Sequence, residues 1–152
     1  MGTLRRSRNL EAMLRRWGPA GLLLICATVA AVASLNVVGV IFFVALAVLA
    51  ALLSPLAFPR SIGAAEAQRR SAEDGKAIIY WRPGCPFCLR LRATLGQTAR
   101  RAHWVDIWSD PEGAAAVREV ADGNETVPTV ILAGKPHINP DPQWLRSQLR
   151  AA

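Results

Sequence analysis

The chain has 152 residues, a net charge of +7 and 52% hydrophobic residues, which allows one ordinary domain plus an appendage. The hydrophobic residues are unevenly placed. No charged residue occurs from Trp17 to Pro59, whereas the part from Lys76 onward has the mixed composition of a soluble domain. Arginine supplies most of the positive charge without a recognised nucleic-acid-binding module, so we expect no nucleic-acid partner. Three cysteines, Cys26, Cys85 and Cys88, do not make a disulfide framework.

The uncharged block predicts a transmembrane hairpin. It is about twice as long as the roughly 20 residues of one membrane-spanning helix, so we expect it to fold back near Ser34–Asn36. The predicted helices cover about residues 19–35 and 37–54, after a basic N-terminus at 1–18 and before a linker at 55–75. Arginines flank the block on both sides and the turn has none, which predicts that both ends face the cytoplasm. These arginines are Arg5, Arg6, Arg8, Arg15, Arg16, Arg60, Arg69 and Arg70.

On this interpretation the protein is a multi-pass protein of the bacterial plasma membrane, in contact with the lipid bilayer. A signal peptide is the alternative, since Arg15–Arg16, an apolar core and Ala31–Ala33 before Ser34 fit that pattern. The second segment would then anchor the chain, and residues 76–152 would face the cytoplasm in both cases. Cys26 lies inside the block and is expected to be an inert, small hydrophobic residue.

Residues 76–152 alternate between strand-like and helix-like segments. Short apolar runs predict strands at Ala77–Trp81, His103–Trp108 and Thr129–Leu132, with an edge strand around His137–Ile138. Helical spacing or start signals predict helices at Leu89–Arg101, from about Ser109 to Ala121, and from Asp141–Pro142 onward. This order predicts a parallel βαβ unit followed by an antiparallel hairpin.

The candidate functional residues are the two cysteines of Arg82-Pro83-Gly84-Cys85-Pro86-Phe87-Cys88. Zinc needs four ligands, and His103 and His137 lie far from each other in sequence, which disfavours a zinc site within one chain. A metal shared between two chains stays open. A structural disulfide is disfavoured, because a reducing cytoplasm keeps thiols reduced and a two-residue loop constrains the unfolded chain very little.

The position of the pair favours thiol–disulfide exchange. A strand ends and a helix begins there, so that unpaired backbone N–H groups and the helix dipole stabilise a Cys85 thiolate. Pro86 suits the first helical turn, and Arg82 adds positive charge nearby. Cys88 lies one turn later and is expected to be less exposed, where it can resolve a mixed disulfide. We therefore expect Cys85 to attack and Cys88 to resolve.

Thr126-Val127-Pro128 is the second candidate part of this site. A proline before a strand suggests a cis bond, which would turn the Val127 backbone toward a ligand lying across the cysteines. An ordinary turn proline that starts an edge strand explains the same residues. The residues leave both interpretations open.

Together these residues resemble the glutaredoxin family. The matches are Cys85-Pro86-Phe87-Cys88 at a strand-to-helix junction, the basic Arg82 three positions before the first cysteine, and Thr126-Val127-Pro128. The run Gly123–Val130, with Asn139–Pro140 further on, looks most like the actinobacterial mycoredoxin-type branch. The resemblance covers about residues 77–149, and an N-terminal hairpin is not part of the family pattern.

The resemblance implies a thioredoxin-like α/β fold, with a central mixed four-stranded sheet flanked by three helices, here preceded by two transmembrane helices. It also implies no tightly bound cofactor, a low-molecular-weight thiol (mycothiol or glutathione) as co-substrate, and a disulfide-containing protein as substrate. The residues it assigns to the small thiol or substrate are Arg82, Pro86, Phe87, Thr126, Val127 and a cis Pro128.

One stretch departs from the family pattern. Glutaredoxins carry Gly-Gly and an aspartate before the last helix, where this chain has His137–Asp141. That departure disfavours glutathione and favours a different thiol. Asp141 is expected to cap the last helix. The tryptophans expected in the core or at its rim are Trp81, Trp104, Trp108 and Trp144.

The leading hypothesis is a membrane-anchored, cytoplasm-facing thiol–disulfide oxidoreductase of the glutaredoxin type, occupying residues 76–152. Two alternatives stay open. One is a metal or iron–sulfur carrier that uses the same cysteines across a dimer. The other is an extracytoplasmic thiol oxidase, which requires an inverted topology.

Overall fold

The computed structural model describes residues 17–18, 20–30, 37–53 and 58–151. The chain divides into two compact units, Met1–Ala57 and Phe58–Ala152. Several predicted features lie outside the described residues. They are the arginines before Trp17, the turn at Ser34–Asn36 and the Ala31–Ala33 cleavage signal.

The described residues of the first unit do not form the expected membrane spans. Its described residues are helical at 17–18 and 20–30 (α1) and at Val37–Leu53 (α2). Among the described residues, no helix is long and apolar enough to cross a membrane. The predictions of a transmembrane hairpin and a multi-pass membrane location are therefore wrong. The inference about which side of a membrane residues 76–152 face no longer holds either.

The second unit is built on a mixed four-stranded sheet. The strands are β1 (Ile78–Trp81), β2 (His103–Asp106), β3 (Thr129–Leu132) and β4 (Lys135–Ile138), in the order β2-β1-β3-β4. The β1–β2 pair is parallel, and the β1–β3 and β3–β4 pairs are antiparallel. All four residues of β1 are buried, as the continuous apolar run predicts for a central strand. Pro136 is tolerated because β4 is an edge strand.

Helices cover the sheet in two layers. One layer holds α4 (Pro86–Leu95), the 3₁₀ segment Gly96–Arg101 and α6 (Pro142–Ala151), which contact one another. The other holds α3 (Ala64–Asp74) and α5 (Pro111–Val120). This α/β arrangement fits the predicted thioredoxin-like fold and its mixed four-stranded sheet, with α3 added to the three expected helices.

The segment before β1 packs on the sheet unit, although residues 55–75 read as a linker. The Phe58 ring stacks on the buried Trp81 ring with centroids 3.8 Å apart. The Trp81 indole N–H donates to Ser61 Oγ at 2.9 Å, and the Ile62 N–H donates to the Trp104 carbonyl at 2.9 Å. Residues from Phe58 onward thus complete the core around β1 and β2.

Two element boundaries differ from the predicted ones. The predicted helix Leu89–Arg101 is α4 followed by the 3₁₀ segment, because Gly96 adopts a left-handed φ of +55° that ends the α-helical run. The second strand stops at Asp106 instead of Trp108, since the Asp106 carboxylate and carbonyl accept N–H bonds from residues 108–110 and turn the chain.

Candidate active site

The two cysteines lie where β1 feeds α4. Gly84 takes a left-handed φ of +74°, which turns the chain after the strand. Cys85 is the N-cap of α4, with extended backbone, and Pro86 occupies the first turn. Cys85 Sγ accepts the Cys88 backbone N–H at 3.3 Å. The sulfur thus satisfies one of the N–H groups left unpaired at the helix start.

Both cysteines are free and both are buried, but not equally. Cys85 is 5% exposed and Cys88 is 0% exposed. This confirms the expectation that the second cysteine is the less accessible of the two. A reagent in solvent therefore reaches Cys85 before Cys88.

The environments of the two sulfurs move their pKa values in opposite directions. The pKa of Cys85 is lowered to about 6, chiefly by a hydrogen bond from the Cys88 thiol, with further help from the Cys88 and Phe87 backbone N–H groups and the Arg82 charge. Burial opposes this shift. The pKa of Cys88 is raised, first by its hydrogen bond with Cys85 and then by burial. At neutral pH Cys85 is mostly thiolate and Cys88 is a thiol.

Val127 contributes a competing contact. In its neutral form the Cys85 thiol donates to the Val127 carbonyl at 3.4 Å. Ionisation removes this bond and leaves a carbonyl oxygen near a thiolate. The Cys88 thiol and N–H donors outweigh that repulsion, because hydrogen bonds to a charged acceptor are stronger than neutral ones.

A groove of about 490 Å³ opens beside Cys85. Five of the residues predicted to hold a small thiol line it together with Cys85, namely Arg82, Pro86, Phe87, Thr126 and Val127. Pro128, the sixth, lines an adjoining hollow of about 260 Å³ that shares Phe87 with the groove. The Val127–Pro128 peptide bond is cis, which confirms that expectation.

Three further residues line the groove that the sequence analysis did not assign to it: Asn124, Glu125 and Asn139. The Asn139 N–H donates to the Pro128 carbonyl at 2.8 Å, which fixes the loop after β4 beside the cis bond. The β3–β4 register pairs Thr129 with Ile138. Knowledge of that pairing would have placed residue 139 beside Pro128. The Glu125 carboxylate is paired with Arg118.

Trp81 and Trp104 lie in the core and Trp108 at its rim, as expected, whereas Trp144 is 36% exposed. Trp81 and Trp104 are 0% and 1% exposed. Trp108 is half-buried, and the Arg82 guanidinium lies 6.0 Å from the centre of its ring, at the outer limit of a cation–π contact. Trp144 packs its ring against His137 with centroids 4.7 Å apart.

Asp141 caps α6, which confirms the structural role expected for it. Its carboxylate accepts the Trp144 backbone N–H at 2.8 Å. A carboxylate engaged in this way at a helix N-terminus is also stabilised by the helix dipole. Within the residues that the structure describes, no group of three or more His, Cys, Asp or Glu side chains could hold a metal ion.

Comparison with known proteins finds a family match for the part of the chain that holds the two cysteines. Residues 77–138 match the glutaredoxin family model. The matched segment, under half of the chain, is similar to glutaredoxin domains. The match includes both cysteines and Thr126-Val127-Pro128, and it ends just before Asn139. Glutaredoxins are in general thiol–disulfide oxidoreductases, which suggests that activity for this domain. No curated protein and no solved structure matched the chain.

Proposed function

We propose that this protein reduces mixed disulfides with a low-molecular-weight thiol, using Cys85 as the attacking sulfur and Cys88 as the resolving one. The observation that carries the proposal is the inequality of the two thiols. The Cys85 pKa is lowered to about 6 and its sulfur borders an open groove, whereas Cys88 is fully buried with a raised pKa. A thiolate of that kind is the reactive species in disulfide exchange.

In the first step the Cys85 thiolate attacks a mixed disulfide between a protein and a small thiol. A bond forms between Cys85 Sγ and the sulfur of the small thiol, and the disulfide bond of the substrate breaks. The protein sulfur leaves as a thiolate and takes a proton from solvent. The electron pair moves from Cys85 to the released sulfur, so that the protein substrate is reduced.

Two routes release Cys85 from the adduct. In the first route, a second small thiol attacks the sulfur of the small thiol that is bound to Cys85. This attack frees the Cys85 thiolate and joins the two small thiols in a disulfide. Alternatively Cys88 loses its proton and attacks Cys85 Sγ, which frees the small thiol and forms a Cys85–Cys88 disulfide. Two further small thiols then reduce that disulfide. The raised pKa of Cys88 favours the first route while Cys88 remains buried.

The lining of the groove supports a small thiol that is not glutathione. Glutathione carries two carboxylates, and Arg82 is the one cation among the groove residues. Asn124, Thr126 and Asn139 instead present amide and hydroxyl groups, which suit a neutral, hydroxyl-rich ligand. Asp141 is occupied as a helix cap. We therefore propose mycothiol as the favoured co-substrate.

The test compares electron donors on one mixed-disulfide substrate. Mycothiol, glutathione and a thioredoxin-reductase system are supplied in turn to the wild type and to Cys85→Ser and Cys88→Ser variants. We expect mycothiol to give the highest kcat/KM, Cys85→Ser to be inactive, and Cys88→Ser to retain turnover through the second-thiol route. Full activity of Cys85→Ser would refute the proposed chemistry. Equal or better use of glutathione would refute the choice of thiol alone.

A further inference from the structure

The two helical layers of the sheet unit carry opposite charge patterns. We define the arginine layer as α4, the 3₁₀ segment and α6. It contains no acidic residue and six arginines: Arg90, Arg92, Arg100, Arg101, Arg146 and Arg150. The opposite layer, α3 and α5, holds three arginines and five acidic residues. The excess positive charge of the domain is therefore concentrated on one side of the sheet.

The two layers also differ in how many of their arginines form ion pairs. On the opposite layer, Arg69 pairs with Glu66 and Glu73, and Arg70 also pairs with Glu66. Arg118 pairs with Glu125. Within the part of the chain that the structure describes, no carboxylate pairs with any arginine of the arginine layer. Among the described residues, these six charges thus have no carboxylate partner.

Part of the arginine layer is held in place by the protein itself. Arg92 donates to the Gly96 carbonyl at 2.9 Å. Arg101 donates to the Leu149 and Arg150 carbonyls, each at 3.3 Å, and so joins the 3₁₀ segment to the end of α6. Side chains fixed by such bonds lose less entropy when a partner binds. Arg90, Arg100 and Arg150 are exposed.

The arginine layer is continuous with the reactive sulfur. Its first helix begins at the Cys85 cap. Arg90, one turn beyond Phe87, lines the hollow that adjoins the groove. The single carboxylate in that hollow is Asp141, which caps α6. A partner lying on the arginine layer thus reaches the groove without crossing an unpaired negative charge there.

We propose that the arginine layer docks an acidic surface of the protein whose disulfide Cys85 attacks. This inference rests on the proposed function, because the chemistry at Cys85 requires a partner that carries a disulfide, and a nucleic acid carries none. Arginines stay charged at all physiological pH values. Complementary charge of this kind raises association rates about 10-fold or more and loses its effect as salt rises.

The test uses three cysteine peptides, each in a mixed disulfide with the same small thiol and flanked by glutamates, lysines or serines. At low ionic strength we expect kcat/KM for the glutamate peptide to exceed that for the serine peptide about 10-fold, and the advantage to vanish in high salt. The double variant Arg100→Glu/Arg150→Glu should abolish the advantage and leave the serine peptide unaffected. Arg60→Glu/Lys135→Glu is the control, because it makes the same change in net charge at residues outside the arginine layer.

A second measurement does not depend on turnover. Fluorescence anisotropy measures binding to the Cys85→Ser variant. The ligands are the three peptides, as free thiols, and a DNA duplex. Stronger binding of the glutamate peptide, lost in the Arg100/Arg150 variant and kept in the control, supports the proposal. Equal binding of all peptides, an equal effect of the control variant, or a preference for DNA overturns it. Loss of turnover on every peptide with acidic binding intact refutes the proposed function and leaves the docking surface standing.

Discussion

The two parallel strands of the sheet end in matched junctions that serve different purposes. After β1, Cys85 caps α4 and Pro86 follows it. After β2, Asp110 caps α5 and Pro111 follows it. The Asp110 carboxylate accepts the N–H groups of Glu112 and Gly113, and also that of Ala64 at the start of α3.

The two capping side chains differ in whether they remain accessible after they have accepted the helix N–H bonds. Both carboxylate oxygens of Asp110 accept backbone N–H bonds, three in all, and these bonds join α3 to α5. Cys85 Sγ accepts one helix N–H and keeps a side toward the groove. The same local geometry therefore yields a structural clamp where the cap is a carboxylate and a reactive centre where it is a thiol. Substitutions at Cys85 and at Asp110 separate these two roles.

Cys85→Ser should have the largest effect on activity and a small effect on stability. Serine is also a good N-cap, but its hydroxyl is not ionised at neutral pH. We expect mixed-disulfide reduction at neutral pH to fall on the order of 1,000-fold or more, with a free energy of unfolding at pH 6 within about 1 kcal/mol of the wild type. Enzyme assays and urea denaturation measure the two quantities. A large loss of stability would show that the thiol cap is itself structural.

The rate of Cys85 alkylation should follow a titration near pH 6. Because its pKa is about 6, Cys85 is about 90% thiolate at pH 7, whereas a cysteine with the ordinary pKa of about 9 is about 1% thiolate. Iodoacetamide labelling of the Cys88→Ser variant cannot serve here, since Cys88 itself lowers the Cys85 pKa. The wild type is therefore labelled, and mass spectrometry identifies the modified cysteine. An inflection above pH 8 for Cys85 would contradict the inferred environment.

The same ionisation makes stability depend on pH. The pKa of Cys85 falls from about 9 in the unfolded chain to about 6 in the folded one. The folded state thus binds fewer protons between these values, and its stabilisation by the thiolate is lost as pH falls from 9 to 6. Relative to Cys85→Ser, we expect the wild-type free energy of unfolding to rise with pH across this window. Parallel curves for the two proteins would refute this.

Asp110→Ala should lower stability and leave activity nearly unchanged, which is the opposite of the result expected for Cys85→Ser. It removes the α5 cap, worth about 1 kcal/mol or more, and the bond to Ala64, worth about 1 kcal/mol. We expect a loss of about 2–3 kcal/mol in the free energy of unfolding, while kcat per folded molecule changes little. Asp110→Asn, which keeps a capping oxygen, should restore about half the loss. A fall in kcat that exceeds the unfolded fraction would show that the clamp also shapes the Cys85 site.

Short sequence patterns predict the strand-to-helix junctions after β1 and β2, but they do not predict which residues pack around those junctions. Pro86 and Pro111 mark helix starts in the sequence, and the apolar runs locate β1 and β3 because strand pairing buries them. The stacking of Phe58 on Trp81 joins residues far apart in the chain, and Phe58 lies in the segment predicted to be a linker. Hydropathy counts apolar residues without fixing where each helix ends, so it predicts a membrane span for a block in which the described helices do not form one.

The site shows the same division between local and long-range information. Cys85, Cys88 and Arg82 share one loop, so their spacing alone brings them together. Asn124 and Asn139 reach the groove through the turn after α5 and the β3–β4 register, which no short motif encodes. The Cys85 pKa illustrates the limit further. The helix start and Arg82 were visible in the sequence, whereas the largest contribution comes from the Cys88 thiol.

Comparison of Arg82→Gln with Cys88→Ala tests that last point and carries the smallest expected effect. Both substitutions should raise the pKa of Cys85. Because the Cys88 hydrogen bond is the largest cause of the lowered pKa and the Arg82 charge the smallest of those that lower it, Cys88→Ala should shift the alkylation profile further. Arg82 is half-buried and its charge faces solvent in part, so that salt should weaken its influence but not that of Cys88. A larger, salt-sensitive shift in Arg82→Gln would instead make the guanidinium, held near Trp108, the principal activator of the thiolate.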